Sequence, residues 1–124
     1  MQWLLHGSLT PAVADALVRH EHKVHKLEEL GLPADVSLAD LLRAVEDKQW
    51  DIISNDPAMA RDIFEIQAHF SRTIVFLQLA GGDVEQDDAV NRLFARYRRL
   101  SPRRLYSVTE SRVKIRQLPG ATFG

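Results

Sequence analysis

The segment from Asp51 to Asp62 constrains the fold of this chain more than any other. Residues 51–54, Asp-Ile-Ile-Ser, have the pattern of a short buried strand, and two residues later the pair Asp56-Pro57 marks a helix start. Aspartate is a preferred N-cap, and proline suits the first helical position, where its missing N–H has no helical partner. Open α/β sheets bind ligands beyond the carboxyl ends of their strands. Asn55 and Asp56 are therefore the first candidates for a functional site.

The same strand-then-helix alternation runs along the rest of the chain. Apolar runs predict strands at residues 2–6, 23–27, 50–54 and 73–77. Helical periodicity and cap signals predict helices at residues 11–20, 38–48, 57–69 and 84–100, with a loop over 28–35. Residues 105–109 and 112–118 alternate around Glu110-Ser111 as a β-hairpin, and 119–124 form a tail. We expect an α/β fold, a mostly parallel sheet flanked by helices on both faces.

Local patterns predict several details of this architecture. Thr10-Pro11 and Ser37 with Asp40 are expected to cap helices, and Asp83 with Gln86 resembles a capping box. Val24 and Leu27 are expected to point inward from the second strand.

Length and composition narrow the class of protein. The 124 residues suit a single domain spanning 1–124. The absence of cysteine excludes disulfides, thiolate chemistry and cysteine zinc sites. No apolar run approaches the roughly 18 residues of a membrane span, and no signal-peptide pattern is present. We therefore expect no membrane contact and a cytoplasmic location.

The net charge of -1 hides a basic C-terminal third. Glu110 is the only acidic residue between positions 92 and 116, and the basic residues there are Arg92, Arg96, Arg98, Arg99, Arg103, Arg104, Arg112, Lys114 and Arg116. Such a stripe could bind a phosphate backbone electrostatically. The near-neutral pI of the whole chain favours the plainer explanation, a solvated helix face beside a charged edge strand that resists aggregation. Both interpretations stay open at this point.

Four sequence words resemble a known family: Leu4-Leu-His-Gly-Ser-Leu-Thr-Pro11, Leu30-Gly-Leu32, Ile52-Ile-Ser-Asn-Asp56 and Arg112-Val-Lys-Ile-Arg-Gln-Leu-Pro119. With the order of elements, they make nearly the whole chain resemble the PIN-like domains of small bacterial proteins, which are related to metal-dependent ribonucleases and toxin-type nucleases. That resemblance implies an RNA substrate and carboxylates that gather Mg²⁺ or Mn²⁺ at the carboxyl edge of the sheet.

The family's motif residues are only partly present in this chain. His6, Gly7 and Ser8 stand where the family has Asp-Glu-Asn after the first strand. Ser37 matches the family's serine before the second helix, but Leu38 replaces the aspartate that follows it. The word Ser54-Asn55-Asp56 matches, whereas Ala58 and Met59 replace the family's final Asp-Phe.

The resemblance nevertheless defines a candidate site. The predicted catalytic residues are Asp56, Asn55, His6 and Ser8, with Asp56 as the metal ligand. The predicted substrate-binding residues are Arg96, Arg99, Arg103 and Ser37.

The donor set of this site differs from that of a magnesium nuclease. Mg²⁺ and Mn²⁺ prefer oxygen ligands, and a nuclease needs carboxylates to hold them. One aspartate, one imidazole and one hydroxyl make a poor magnesium site and could instead hold Zn²⁺ or Ni²⁺. Replacement carboxylates could come from Asp35, Asp40 or Asp62.

Each candidate residue also has a structural explanation. Asp56 before Pro57 is expected as a helix cap, and Ser37 with Asp40 as another. Asn55 could satisfy backbone donors of its loop. His6 could be a hydrogen-bonded residue of the core. The spacing of three histidines, His20, His22 and His25, would suit a metal site if their imidazoles converged.

Two hypotheses about function follow, and they leave open whether the chain is an enzyme. In the first, a catalytically impaired PIN-like protein binds RNA or a protein partner, either as a homodimer or in a toxin–antitoxin-like pair. In the alternative, an active ribonuclease uses Mg²⁺ or Mn²⁺, as a toxin paired with a small helix-turn-helix antitoxin-like protein. No cofactor is assigned under the first hypothesis.

Overall fold

Six strands form one sheet in the computed structural model, which describes residues 1–66 and 69–119. The strands are β1 (Gln2–His6), β2 (Lys23–His25), β3 (Asp51–Ser54), β4 (Ile74–Leu77), β5 (Arg104–Val108) and β6 (Val113–Gln117). The helices are α1 (Pro11–Arg19), α2 (Leu38–Asp47), α3 (Pro57–Glu65) and α4 (Asp83–Arg96). A 3-10 helix covers Leu27–Leu30. The predicted order of strands and helices is confirmed.

The strand order across the sheet is β2-β1-β3-β4-β5-β6. Strands β1 to β5 are parallel to their neighbours, and β6 pairs antiparallel with β5. This confirms the mostly parallel sheet and the C-terminal hairpin. The chain builds outward from β1 to β2 and then continues on the other side with β3. The boundary between β1 and β3 is therefore the topological switch point, where sheets of this type open a crevice for ligands.

Helices cover both faces of the sheet, as predicted, and each face has its own hydrophobic core. Helices α1 and α4 pack on one face around Trp3, Ile53 and Tyr106. Helices α2 and α3 pack on the other face around Leu4 and Ile52. Side chains alternate along a strand, so the residues two positions after Leu4 and Ile52 also point to the α2/α3 side. Those residues are His6 and Ser54.

The predicted helix caps are confirmed where they depend on neighbouring residues. Thr10 Oγ1 accepts the Ala12 N–H at 3.3 Å, and Ser37 Oγ accepts the Asp40 N–H at 3.1 Å. Each cap satisfies one of the backbone donors that a helix start leaves unpaired.

The start of α4 differs from its prediction. Gly82 is the N-cap, and its N–H donates to the Glu85 carboxylate at 3.0 Å. Gln86 does not cap the helix, because its Oε1 accepts the Thr10 N–H at 3.0 Å and the Thr10 hydroxyl at 3.2 Å. Gln86 is 5% exposed and ties the start of α4 to the start of α1.

Three element ends are also corrected. Strand β2 stops at His25, since the Lys26 N–H donates to the Glu29 carboxylate at 2.7 Å and starts a 3-10 helix that leaves Leu27 exposed. Helix α4 ends at Arg96, where Tyr97 turns extended and packs edge-on against Tyr106. Helix α3 ends at Glu65, so the prediction that it reaches residue 69 is wrong in length.

Parts of two predictions fall on residues 67–68 and 120–124, which lie outside the described residues. Among the helices that the structure describes, none is both long and apolar enough to cross a membrane.

Candidate functional site at the carboxyl edge of the sheet

The ends of β1 and β3 bring together residues that lie almost fifty positions apart in the sequence. His6 and Ser54 are register partners at the carboxyl edge, and His6 Nδ1 lies 2.8 Å from Ser54 Oγ. Ser8, Asn55 and Asp56 follow directly on the same two loops. Four predicted site residues, His6, Ser8, Asn55 and Asp56, thus share the crevice at the switch point.

Ser54 determines which nitrogen of His6 carries the proton. Its Oγ accepts the Asp56 N–H at 3.0 Å, and the residue is fully buried. In the described part of the chain, the acceptor that remains for its hydroxyl hydrogen is His6 Nδ1. The arrangement therefore assigns the proton of a neutral His6 to Nε2, because a neutral imidazole has one donor and one acceptor nitrogen.

The environment of His6 keeps this imidazole neutral. Burial lowers the pKa of His6 below 6.5, and the negative charge of Asp56 opposes that shift to a smaller extent. Taking a charged imidazolium out of water costs free energy, so the neutral form dominates at pH 7. His6 therefore offers a hydrogen-bond donor to the crevice and not a positive charge.

Gly7 allows the two loops to approach each other. Its φ of 87° lies in the region that favours glycine, and an added Cβ would come within 2.5 Å of Asn55 Oδ1. The Asn55 side chain closes this contact: Oδ1 accepts the Ser8 N–H at 2.8 Å, and Nδ2 donates to Ser8 Oγ at 3.3 Å. Both ends of the Asn55 amide are thus engaged in holding the β1 and β3 loops together.

Asp56 caps α3, as predicted. Its Oδ1 accepts the Ala58 N–H at 3.0 Å, and its backbone is extended, as an N-cap requires. The same residue lines a cavity of about 160 Å³ between the starts of α2 and α3. The apolar wall of this cavity is formed by Val36, Leu38, Leu41, Ala58 and Met59, and its polar lining by His6, Asp56 and Asp62.

Asp62 is the one proposed replacement carboxylate that reaches this cavity. It lies about 1.7 helical turns after the cap, Asp56, and its Oδ1 accepts from Arg61 Nε at 3.0 Å. The two side chains form an ion pair, and the hydrogen bond to Asp62 raises the pKa of the Arg61 guanidinium above its usual value. Asp35 and Asp40 line a different cavity of about 450 Å³, together with Ser37.

Among residues 1–66 and 69–119, no three His, Asp or Glu side chains come together to hold a metal ion. The three clustered histidines bind other partners instead. His20 Nε2 lies 2.9 Å from Asn91 Oδ1, and His22 Nδ1 accepts the Trp3 indole N–H at 2.7 Å. His25 contacts Glu29 and Gln2, each at 2.9 Å. The hypothesis of a three-histidine site is therefore wrong.

The predicted substrate-binding arginines lie at the opposite edge of the sheet. Helix α4 leads the chain back toward the amino end of β5, so Arg96, Arg99 and Arg103 precede that strand. The Arg103 N–H donates to the Arg72 carbonyl at 3.0 Å, just before β4 begins. A five-residue strand spans roughly 16 Å, which separates these arginines from the His6 crevice. Ser37 is an exposed helix cap on the carboxyl side.

Sequence reasoning missed Ser54 and the apolar wall of the cavity. Ser54 carried a usable signal, since it is the one polar residue at the end of the apolar run 52–54. It ends its strand as His6 ends β1, and the two are register partners in the sheet. Leu38 and Met59 stand at positions of the family motif, but they and Leu41 fit the helical periodicity of core residues, so the sequence did not mark them as a cavity wall. Val36 lies in the loop before α2 and gave no signal.

No protein-family model matches the chain, and neither does any curated protein or solved structure. The resemblance to PIN-like domains therefore stays a prediction that rests on sequence motifs. The α/β architecture and the geometry of the crevice do not depend on it.

Proposed function

We propose that this protein is a PIN-like RNA-binding module whose carboxyl-edge crevice has lost metal-dependent nuclease chemistry. The observation that carries the proposal is the separation of two groups of residues. The arginines suited to an RNA backbone lie at the amino edge of the sheet, and His6 and Asp56 lie at the carboxyl edge. In a nuclease, the residues that grip the backbone must deliver the phosphate to the catalytic groups. Here the two groups are on opposite sides.

The charge of the amino edge supports RNA as the ligand. Five arginines fall within residues 96–104, and all are exposed: Arg96, Arg98, Arg99, Arg103 and Arg104. None of these five forms an ion pair with a residue that the structure describes. Guanidinium groups bind phosphates with paired hydrogen bonds. We refer to residues 96–104 as the arginine segment.

The chemistry of the crevice supports the loss of catalysis. A magnesium-dependent nuclease holds its metal with several free carboxylates. Here one carboxylate, Asp56, caps α3, and the other, Asp62, is paired with Arg61. The third polar group, His6, is a neutral imidazole that Ser54 holds in place. Such a set is suited to hydrogen bonding and not to binding Mg²⁺ or Mn²⁺.

The proposal is tested by titrating the protein into a fluorescein-labelled 20-nucleotide single-stranded RNA and following anisotropy at several salt concentrations. We expect the affinity to fall steeply with salt, because each neutralised phosphate releases counterions. The Arg96→Glu, Arg99→Glu double substitution should lower the affinity at least tenfold. It should also reduce the slope of log affinity against log salt concentration by about 1.4, because each of the two lost phosphate contacts contributes about 0.7. The matched control is the Lys23→Glu, Lys26→Glu double substitution. Both lysines are exposed and lie near the edge strand β2, so the affinity for RNA should change little.

Two results would overturn this proposal. Binding that ignores both salt and the Arg96→Glu, Arg99→Glu double substitution would make the arginine segment a solvated surface. Equal losses in the lysine control would show that net charge alone governs the affinity.

A second candidate function is an active Mg²⁺- or Mn²⁺-dependent ribonuclease, which the presence of Asp62 in the same cavity as Asp56 favours. Under this hypothesis Asp62 leaves Arg61 and joins Asp56 at the metal. The ribonuclease hypothesis predicts RNA cleavage that depends on added metal and that is lost in both Asp56→Ala and Asp62→Ala. We expect no cleavage above a buffer control.

A further inference from the structure

The outer edge of the sheet at β6 presents a row of unpaired backbone groups. Two hydrogen bonds bracket the β5–β6 hairpin: Leu118 N–H to the Arg103 carbonyl and Thr109 N–H to the Arg112 carbonyl, both 2.9 Å. Bonded pairs alternate along an antiparallel ladder, so Arg116 and Lys114 also bond to β5. The residues between them turn their N–H and C=O groups away from β5.

Those outward residues are Val113, Ile115 and Gln117, and β6 is the last strand of the sheet. Together they offer six backbone donors and acceptors, for which residues 1–66 and 69–119 provide no partner. An exposed edge of this kind can pair with a strand from another chain.

Side chains divide this edge into a basic side and an apolar side. Arg116 pairs with Leu105, which belongs to the α2/α3 core, so Arg116 and Lys114 point to that side of the sheet. The guanidinium of Arg116 stacks on the Phe64 ring of α3 at 3.8 Å, which holds its charge there. Ile115 pairs with Tyr106 on the α1/α4 side and is 41% exposed.

A second copy of the chain is a poor occupant of this edge. Two β6 strands related by a two-fold axis perpendicular to the sheet place residues of the same side opposite each other. If the axis passes beside Ile115, Lys114 of one copy lies opposite Arg116 of the other. If it passes beside Lys114 or Arg116, that residue lies opposite the same residue of the other copy. Like charges directly opposite each other destabilise a strand pair. The charge pattern instead complements a strand with carboxylates at alternate positions.

We infer that β6 binds an extended acidic segment of a partner protein, which adds a strand to the sheet at Val113, Ile115 and Gln117. The backbone groups of these residues supply the affinity, and the alternating side chains supply the specificity. Carboxylates of the partner face Lys114 and Arg116, and an apolar side chain covers Ile115. This surface adjoins the arginine segment, because Gln117 pairs with Arg104, but it uses different residues and the inference does not depend on RNA binding.

The probe for this inference is a labelled nine-residue peptide that alternates Glu and Val, with a Lys and Val peptide as the comparison. We expect the acidic peptide to bind and the basic peptide not to bind. The Lys114→Glu, Arg116→Glu double substitution should weaken the acidic peptide at least tenfold and create binding of the basic peptide. The Lys23→Glu, Lys26→Glu control changes the charge by the same amount in and directly after the opposite edge strand, β2, and should leave the binding of both peptides unaffected.

The backbone contribution is tested with Ile115→Pro. Proline removes an N–H that points outward and leaves the bonds from Arg116 and Lys114 to β5 in place. The variant should keep its circular dichroism spectrum and lose peptide binding. In the wild type, amide exchange at positions 113, 115 and 117 should slow when the acidic peptide is added.

Three outcomes would overturn the inference. The acidic peptide could fail to bind, in which case Lys114 and Arg116 only protect the edge from aggregation. It could bind equally well to the β6 and β2 charge variants, which would indicate non-specific attraction. Light scattering could show a wild-type dimer that Lys114→Glu, Arg116→Glu alters, which would make a second copy the occupant.

Discussion

The Ser54 hydroxyl and the His6 imidazole form one hydrogen-bonded unit across the boundary between β1 and β3, with 2.8 Å between Oγ and Nδ1. The same hydroxyl oxygen accepts the Asp56 N–H, so a single buried atom connects the histidine to the turn that starts α3. The orientation of His6 therefore depends on the strand beside it. The geometry of the carboxyl-edge crevice is therefore determined by the pairing of β1 with β3.

Removal of this hydroxyl should destabilise the fold. In Ser54→Ala, the Asp56 N–H and His6 Nδ1 lose their partner in a partly buried place, and leaving a fully buried group unpaired costs about 1–3 kcal/mol. We expect the free energy of unfolding, measured with urea, to fall by about 2 kcal/mol. The ¹⁵N chemical shifts of His6 should move toward a mixture of tautomers. Ser8→Ala removes an exposed hydroxyl from the same crevice and should cost no more than about 0.5 kcal/mol; equal costs would contradict the role of Ser54.

Gly7 and Gly31 should respond differently to alanine. Both have positive φ, 87° and 65°, so alanine strains the backbone at either position. At Gly7 the new Cβ also meets Asn55 Oδ1 at 2.5 Å, whereas at Gly31 nothing lies within 4 Å. Gly31→Ala should cost about 1 kcal/mol, and Gly7→Ala should cost clearly more in the same urea titrations. A Gly7 cost at or below that of Gly31 would mean that the Asn55 contact is easily displaced.

Asp56 should behave as a helix cap and not as a metal ligand. Asp56→Ala should lower the free energy of unfolding by about 1 kcal/mol, and Asp56→Asn by much less, because asparagine also caps helices well. A bound metal would instead add about 2.7 kcal/mol at a concentration one hundred times its dissociation constant. We expect millimolar Mg²⁺ or Mn²⁺ to leave the melting temperature unchanged. A metal-dependent rise that Asp56→Asn abolishes would establish a metal site.

The bond between Trp3 and His22 should make stability depend on pH. Burial, followed by the electrostatic influence of the Met1 amino group and of the nearby His20, lowers the pKa of His22 from 6.5 to about 4. The folded state therefore favours neutral His22, which accepts the Trp3 indole N–H. The contribution of His22 to the free energy of unfolding is fully present above pH 6.5. It falls between pH 6.5 and 4, because the unfolded chain takes up a proton there that the folded chain does not.

The size of this effect is set by the partial exposure of His22. A shift of this size would correspond to about 3 kcal/mol for a group fully removed from water. His22 keeps part of its surface in solvent, so we expect a loss of about 1 kcal/mol between pH 7 and pH 4. His22→Gln retains an acceptor for Trp3 but does not titrate, so its stability should fall less over the same range. Parallel curves for the two proteins would assign the pH dependence to other groups.

The sequence predicts features whose cause lies within a few residues. Asp56-Pro57 and Thr10-Pro11 define helix starts by local hydrogen bonds, and the structure has both caps. Parallel strands end at a common edge, so the meeting of His6 with Asn55 and Asp56 also follows from the strand pattern. The hydrogen bond to Ser54 requires the register between β1 and β3, which the sequence does not reveal.

Features that join distant segments could not be predicted in this way. Gln86 looks like a capping residue in its own helix, but its partner, Thr10, lies 76 positions away. The basic residues 92–116 look like one stripe in the sequence. The chain reverses within it, so that Arg96 and Arg103 lie at the amino edge while Arg112 follows β5 at the carboxyl edge. Linear spacing does not record that reversal.

The distribution of the two tryptophans gives the molecule a natural optical reporter for each half of its interior. Trp3 belongs to the α1/α4 core and stands beside His22, and Trp50 belongs to the α2/α3 core and stacks on His25 at 3.9 Å. Variants that retain one indole each would therefore emit from one side of the sheet at a time. Coincident unfolding curves from the two would show that both layers melt as one cooperative unit, and separated curves would show which layer opens first.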